Sequence, residues 1–133
     1  MSILKTTILS ALTLTAAAIP LPLDVPHLPS LPPILPGKKN SGDITYFHPA
    51  LGACGATNSD ADGIVAISHL LFDEGSHCGR KMRITGAAGS VEAVVVDRCE
   101  GCDRFELDVS PSVFQASVGQ LGVGRDIGSW QWM

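Results

Sequence analysis

Proline and glycine occupy different parts of this chain. Seven of the nine prolines fall between Pro20 and Pro36, whereas thirteen of the fourteen glycines lie from Gly42 onward. Proline fixes its own φ and donates no backbone hydrogen bond, so the Leu-Pro and Ile-Leu-Pro repeats, which have neither a helical nor a strand period, read as an extended polyproline-like spacer. The part able to build a core is therefore residues 42–133 of a 133-residue chain. That allows one modest domain and excludes two. Charged residues make up 17% of the chain and the net charge is -4. The sign is opposite to that of a nucleic-acid binder, and no nucleic-acid partner is expected.

Residues 1–18 have the pattern of a secretory leader. Lys5 supplies a positive charge, Ile8 to Ala18 an apolar stretch too short to span a bilayer, and Ala16-Ala17-Ala18 a small-residue cleavage site. Residues 19–41 form the expected spacer or pro-segment, with Lys38-Lys39 read as a solubilising pair and a processing site as its alternative. The mature protein is expected to be extracellular, monomeric and unattached to membrane. Export gives the four cysteines a meaning, because so small a domain gains more from two disulfides than from metal or redox chemistry. Counting alone leaves three pairings open. A redox Cys-x-x-Cys at Cys99 and Cys102 lacks a surrounding βαβ pattern, and a zinc site using His48, His69 or His77 is the weaker alternative. Asp60, Asp62, Asp73 and Glu74 lack the glycine and terminal glutamate of a calcium loop and read as a solvated rim. No metal or cofactor is expected.

From Gly42 the pattern is one of short strands between glycine and asparagine turns. Asp43 to Phe47 is rich in strand formers, and Ile64 to Ile67 is a continuous apolar run suited to a doubly buried strand. Met82 to Thr85 alternates, and a turn at Gly86 to Gly89 leads into Val91 to Val96. Phe105 to Val109 makes a further strand. Ser110-Pro111 is a helix start, an N-cap followed by proline at the first helical position, and the helix ends by Gly119. Arg125 to Trp132 is the last strand, with Trp130 and Trp132 on one face. The expectation is an all-β, six-stranded closed barrel with one or two short helices.

Several motifs occur in an order that resembles a known family: Gly42-Asp43-Ile44-Thr45-Tyr46-Phe47, Ala53-Cys54-Gly55, Ile64-Val65-Ala66-Ile67-Ser68, Leu71-Phe72, Cys78-Gly79, Val96-Asp97-Arg98-Cys99-Glu100-Gly101-Cys102, Leu107-Asp108-Val109-Ser110 and Trp130-Gln131-Trp132. Together they are similar to the double-psi β-barrel of the expansin, barwin and rare-lipoprotein-A superfamily, and most of all to small secreted fungal expansin-like, or loosenin-like, proteins. The resemblance covers residues 42–133. It implies that Cys54 pairs with Cys78, leaving Cys99 and Cys102 to close a tight loop beside Asp97.

The resemblance also implies a polysaccharide groove. Asp97 and Asp108 match its carboxylates, as hydrogen-bond acceptors or a candidate catalytic pair, and Thr45 matches its threonine. Tyr46 and Trp130 are the aromatic candidates for stacking on a sugar. There are departures too. Bacterial expansins carry Asp-x-Tyr where this chain has Asp97-Arg98-Cys99. The His-Phe-Asp motif of plant expansins and family-45 glycoside hydrolases is replaced by Phe105-Glu106-Leu107-Asp108. The second, carbohydrate-binding domain of full expansins is not expected here.

The function these residues favour is binding of cell-wall polysaccharide, chitin or glucan, and loosening it without hydrolysis. One rival is inhibition of a cysteine protease by exposed loops, with His48 to Asp62 and Asp73 to Gly79 as candidates; another is a host-interacting effector. A third is glycan cleavage of the lytic-transglycosylase type. There the histidine segment of rare lipoprotein A corresponds to Ala66-Ile67-Ser68-His69, with His69 one position off.

Overall fold

Apolar residues in short runs, punctuated by glycine turns, become strands too brief to stand alone. They are stable here because the sheet closes on itself. The computed structural model describes residues 37–133; the expected leader and most of the expected spacer lie outside the described residues. The element order is β1 (Asn40–Tyr46), β2 (Ile64–Ser68), α1 (His69–Phe72), β3 (Lys81–Gly86), β4 (Gly89–Cys99), β5 (Leu107–Val109), α2 (Pro111–Ser117), a 3-10 turn (Leu121–Val123) and β6 (Arg125–Trp132). Around the barrel the strands run β1-β5-β2-β4-β3-β6, with β6 paired back onto β1. Closure leaves no open edge for another chain to extend. β1 pairs in parallel with β5, and β2 with β4; the other pairs are antiparallel.

The all-β six-stranded architecture is the expected one, but three element ends differ. β1 begins at Asn40 rather than after Gly42. β4 is eleven residues long rather than Val91 to Val96, because it serves β3 along its first half and β2 along its second. β5 has only three residues. Phe105 and Glu106 are taken up by a turn in which the Glu106 N–H donates to Asp103 O at 3.0 Å.

Inward-facing Ile44, Val65, Ile67, Met82, Ile84, Val95, Leu107 and Val109 are fully buried and fill the barrel. Ser110 caps α2 by accepting the Val113 N–H at 3.4 Å, with Pro111 at the first helical turn. This short helix adds Val113 and Phe114 to the core. Gly86 lets the β3–β4 hairpin dock on the end of α2: a Cβ there would strike the Ser117 carbonyl, which accepts the Ala88 N–H at 3.0 Å.

The β2–β4 ladder is irregular. Val65 pairs with Val95, but Ala66 pairs with Asp97, so Val96 is an extra residue in β4. A bulge of this kind changes the side to which the following side chains point.

Both disulfides form. Cys54 joins Cys78 with 5.7 Å between Cα atoms, and Cys99 joins Cys102 with 5.5 Å. The first spans 24 residues of sequence and the second only 3. Loop-closure entropy therefore gives the first the larger effect, roughly 3 kcal/mol. In denaturant titration, Cys54→Ala/Cys78→Ala is expected to lose about that much, and Cys99→Ala/Cys102→Ala clearly less. Equal losses would show that local strain, not chain entropy, sets both.

Candidate functional site

Strand register assembles a row of side chains on the outer face of the barrel. Thr45 on β1 lies opposite Asp108 on β5, Asp108 lies opposite Ala66 on β2, and Ala66 lies opposite Asp97 on β4. Their neighbours Ile44, Leu107, Val109, Val65, Ile67 and Val95 point inward, so the row points outward. Asp108 and Asp97 are two strands apart, roughly 10 Å between backbones. Ala66 lies between them in register and is itself 3% exposed.

Each carboxylate is held by one of its oxygens. The Thr45 hydroxyl donates to Asp108 Oδ1 at 3.0 Å. Asp97 Oδ1 accepts the backbone N–H groups of Ala53 and Arg98, both at 2.8 Å. The Ala53 contact exists because the loop at 47–63 is fastened over β4. The Cys54 N–H donates to Val96 O at 3.1 Å, and Gly52 lies so close to that carbonyl that a Cβ would collide with it. Among the described residues no protein donor reaches Oδ2 of either aspartate, which leaves two acceptors for ligand hydroxyls.

Asp108 is half-buried, and its carboxyl is raised above the ordinary carboxylate range. Burial is the main cause; the Thr45 hydrogen bond opposes it, the Asp97 charge adds to it and Arg125 opposes it. Arg125, opposite Thr45 on β6, reaches Asp43 at 2.9 Å and Glu106 at 3.4 Å. Asp43 and Glu106 precede Thr45 and Asp108 by two residues each, so the outer face continues into a hollow of about 380 Å³ lined by Ser41, Asp43, Phe105 and Glu106 among others. Two forked ion pairs brace the loop beyond β4. Arg98 holds Asp73 through two bonds of 2.9 Å, and Arg104 holds Glu74 at 2.7 and 2.9 Å. These bonds keep both acidic groups below their ordinary pKa.

The expected aromatic residues are not in the row. Tyr46 follows Thr45 and so faces the other way; its ring packs on Phe114 at 4.9 Å and meets His48 edge-on at 6.2 Å. Trp130 is 2% exposed, with its indole N–H donating to Phe105 O at 2.9 Å, so neither ring face can receive a sugar. The aromatic beside Asp43 and Glu106 is Phe105, 38% exposed, in a turn rather than the strand its sequence pattern predicts. Its signal was an aromatic flanked by charges in Asp103-Arg104-Phe105-Glu106. The zinc alternative has no ligand set: the four cysteines are in disulfides, His48 pairs with Asp60 at 2.9 Å, and His77 stacks on Trp132 at 5.4 Å. His69 opens α1 with its Nδ1 buried and unpartnered, and no hydrogen bond joins it to Asp97 or Asp108.

Because folding raises the Asp108 pKa, the folded state favours the protonated carboxyl. That contribution is complete below the unfolded value, about 3.9, and is lost as pH rises through the folded one. Asp108→Asn is therefore expected to melt above the parent at neutral pH, with the gap closing below about pH 4. A gap independent of pH would remove ionisation as the cause. Thr45→Val deletes the opposing hydrogen bond and should move the Asp108 carboxyl titration, followed by carbon NMR, to still higher pH.

Two solved structures share this architecture. A Clavibacter michiganensis expansin, in complex with cellohexaose as an aspartate-to-asparagine variant, superposes with a TM-score of 0.65 at 26% identity, over 72% of this chain and 50% of its own. A Streptomyces papain inhibitor superposes with a TM-score of 0.65 at 24% identity, over 74% of this chain and 97% of its own, a likeness of fold. Kiwellin of Actinidia chinensis var. chinensis is 45% identical over 85 residues, 53% of this chain and 38% of kiwellin. No protein-family model matches. The chain spans 30 to 53% of the length of the curated relatives it matches. Its fold is the double-psi β-barrel found in the expansin and barwin-like proteins.

Proposed function

We propose that this double-psi β-barrel is an exported, expansin-like protein that binds a neutral cell-wall polysaccharide along the Thr45–Asp108–Asp97 row and loosens it without hydrolysis. The observation that carries the reading is the presence of both carboxylates on one outward face, each with an oxygen left for a ligand. The expansin complex with cellohexaose supports a glycan as occupant, and its aspartate substitution supports attention to a carboxylate. Export is supported by two disulfides, with no free cysteine among the described residues.

Loosening requires that the row bind a displaced glycan strand better than a packed one, since a ligand shifts an equilibrium only by its difference in affinity for the two states. A strand within a packed wall has its hydroxyls satisfied by neighbours. A displaced strand offers them to the free oxygens of Asp97 and Asp108, with Phe105 presenting an apolar face beside the acidic residues. Neither step breaks a bond.

Asp97→Asn keeps an Oδ1 that can accept both backbone N–H groups, so stability should change by less than about 1 kcal/mol while pull-down on insoluble glucan or chitin and wall weakening are lost. Asp97→Ala orphans both donors and should cost about 1–3 kcal/mol. Release of reducing ends or anhydro-sugars by the parent would replace loosening by cleavage. Retention of glycan binding by Asp97→Asn would remove the row from the function.

A second reading has its own observation. Leu51 is 72% exposed on a loop stiffened by the Leu51–Thr57 bridge and anchored through Cys54–Cys78. A rigid loop with an apolar tip suits insertion into a protease cleft, and one structural neighbour is a papain inhibitor. Under this reading the parent inhibits papain, Leu51→Asp weakens inhibition at least about tenfold, and Asp97→Asn does not.

A further inference from the structure

The wall diametrically opposite the carboxylate row, formed by β3 and β6, carries a different chemistry. Register places Ser90 opposite Thr85, Thr85 opposite Ser129, and Ser129 opposite Ser41, giving a row of hydroxyls across β4, β3, β6 and β1. Two residues along, Glu92, Arg83 and Gln131 form a parallel row. A hollow of about 270 Å³ opens over these rows, lined by Lys39, Arg83, Thr85, Ser90, Ser129 and Gln131, with Trp130 also at its lining. Among the described residues its lining holds no carboxylate, the nearest in register being Glu92 opposite Arg83. Arg83 gives one nitrogen to Glu92 at 3.2 Å, and Thr85 and Ser90 share a bond of 2.7 Å. Gln131 Oε1 is buried without a hydrogen-bond partner. That acceptor is closed off from the hollow, so what the hollow offers a ligand is its hydroxyls and its two cations.

We infer that this hollow is a second glycan site and that it takes an acidic sugar. The hydroxyls of Thr85, Ser90 and Ser129 address ring hydroxyls. Lys39 and the remaining guanidinium donors of Arg83 address a carboxylate, a pairing stronger than a neutral hydrogen bond. The carboxylate row cannot serve the same ligand, because Asp97, Asp108, Asp43 and Glu106 would repel a uronate. The two walls thus select by charge, neutral glycan on one side and acidic glycan on the other.

The test is calorimetric titration of the full chain with an oligogalacturonate at low ionic strength. Saturable binding is expected, weakening as salt rises. Lys39→Gln/Arg83→Gln should reduce the affinity at least about tenfold, since a hydrogen bond to a charged group contributes enough for that. These side chains are exposed, and the thermal melt should be unchanged. Ser129→Tyr, which fills the hollow without altering charge, should abolish binding as well. Absence of saturable binding by the parent, survival of binding in either variant, or equal affinity for a neutral galactose oligomer of the same length would overturn the assignment. None of these readouts depends on Asp97 or Asp108, so the inference can fail while the proposed function stands, and the reverse.

Discussion

One extra residue in β4 decides the chemistry of the barrel's outer face. With Val96 accommodated as a bulge, Asp97 pairs with Ala66 and shares the outward row with Asp108 and Thr45. In a regular ladder Val96 would oppose Ala66, and Asp97 would be in register with inward-facing Ile67. The carboxylate would then have to enter an apolar core or distort the strand, at a desolvation cost far above what a bulge requires.

The bulge is held by groups that come from far along the chain. The loop at 47–63 sends two backbone N–H groups to Val96 and Asp97, and Cys54–Cys78 ties that loop to the segment entering β3. On the other side, Arg98 and Arg104 lock the turn after β4 onto Asp73 and Glu74. Asp97 thus sits in a backbone cradle braced from both directions, while Asp108 depends on Thr45 and on its own partial burial. The two carboxylates are chemically unequal, one secured by amide donors and the other biased toward its neutral form. A face of this kind has acceptors fixed in place before a ligand arrives, which lowers the ordering cost of binding many weakly held hydroxyls.

Charge is also distributed unevenly around the barrel. Asp43, Asp97 and Asp108 lie on β1, β4 and β5, with Glu106 in the turn before β5 and Arg125 pairing with Asp43 and Glu106, whereas Lys39 and Arg83, the latter paired with Glu92, stand among hydroxyls on the β3–β6 side. A closed six-stranded barrel is narrow enough for its walls to be back to back, yet its filled core keeps their surface chemistries independent.

The strand runs, the Ser110-Pro111 helix start and the four-cysteine staple were legible in the sequence because each depends on local residue chemistry: β-branched alternation, a capping hydroxyl followed by a fixed φ, and the size of the domain. The cysteine pairing came from family resemblance, since counting leaves three solutions. That Trp130 and Tyr46 turn away from the outer row while Phe105 is exposed was not legible. Alternation says which residues share a face of one strand, but not which face a closing barrel turns inward, nor that a loop carbonyl would bind the Trp130 indole. The bulge was equally invisible, because three consecutive valines satisfy any register. Local composition determined that this chain makes short strands around an apolar core. Register between strands distant in sequence, which only closure of the whole ladder selects, decided that Asp97 and Asp108 meet on one outer face.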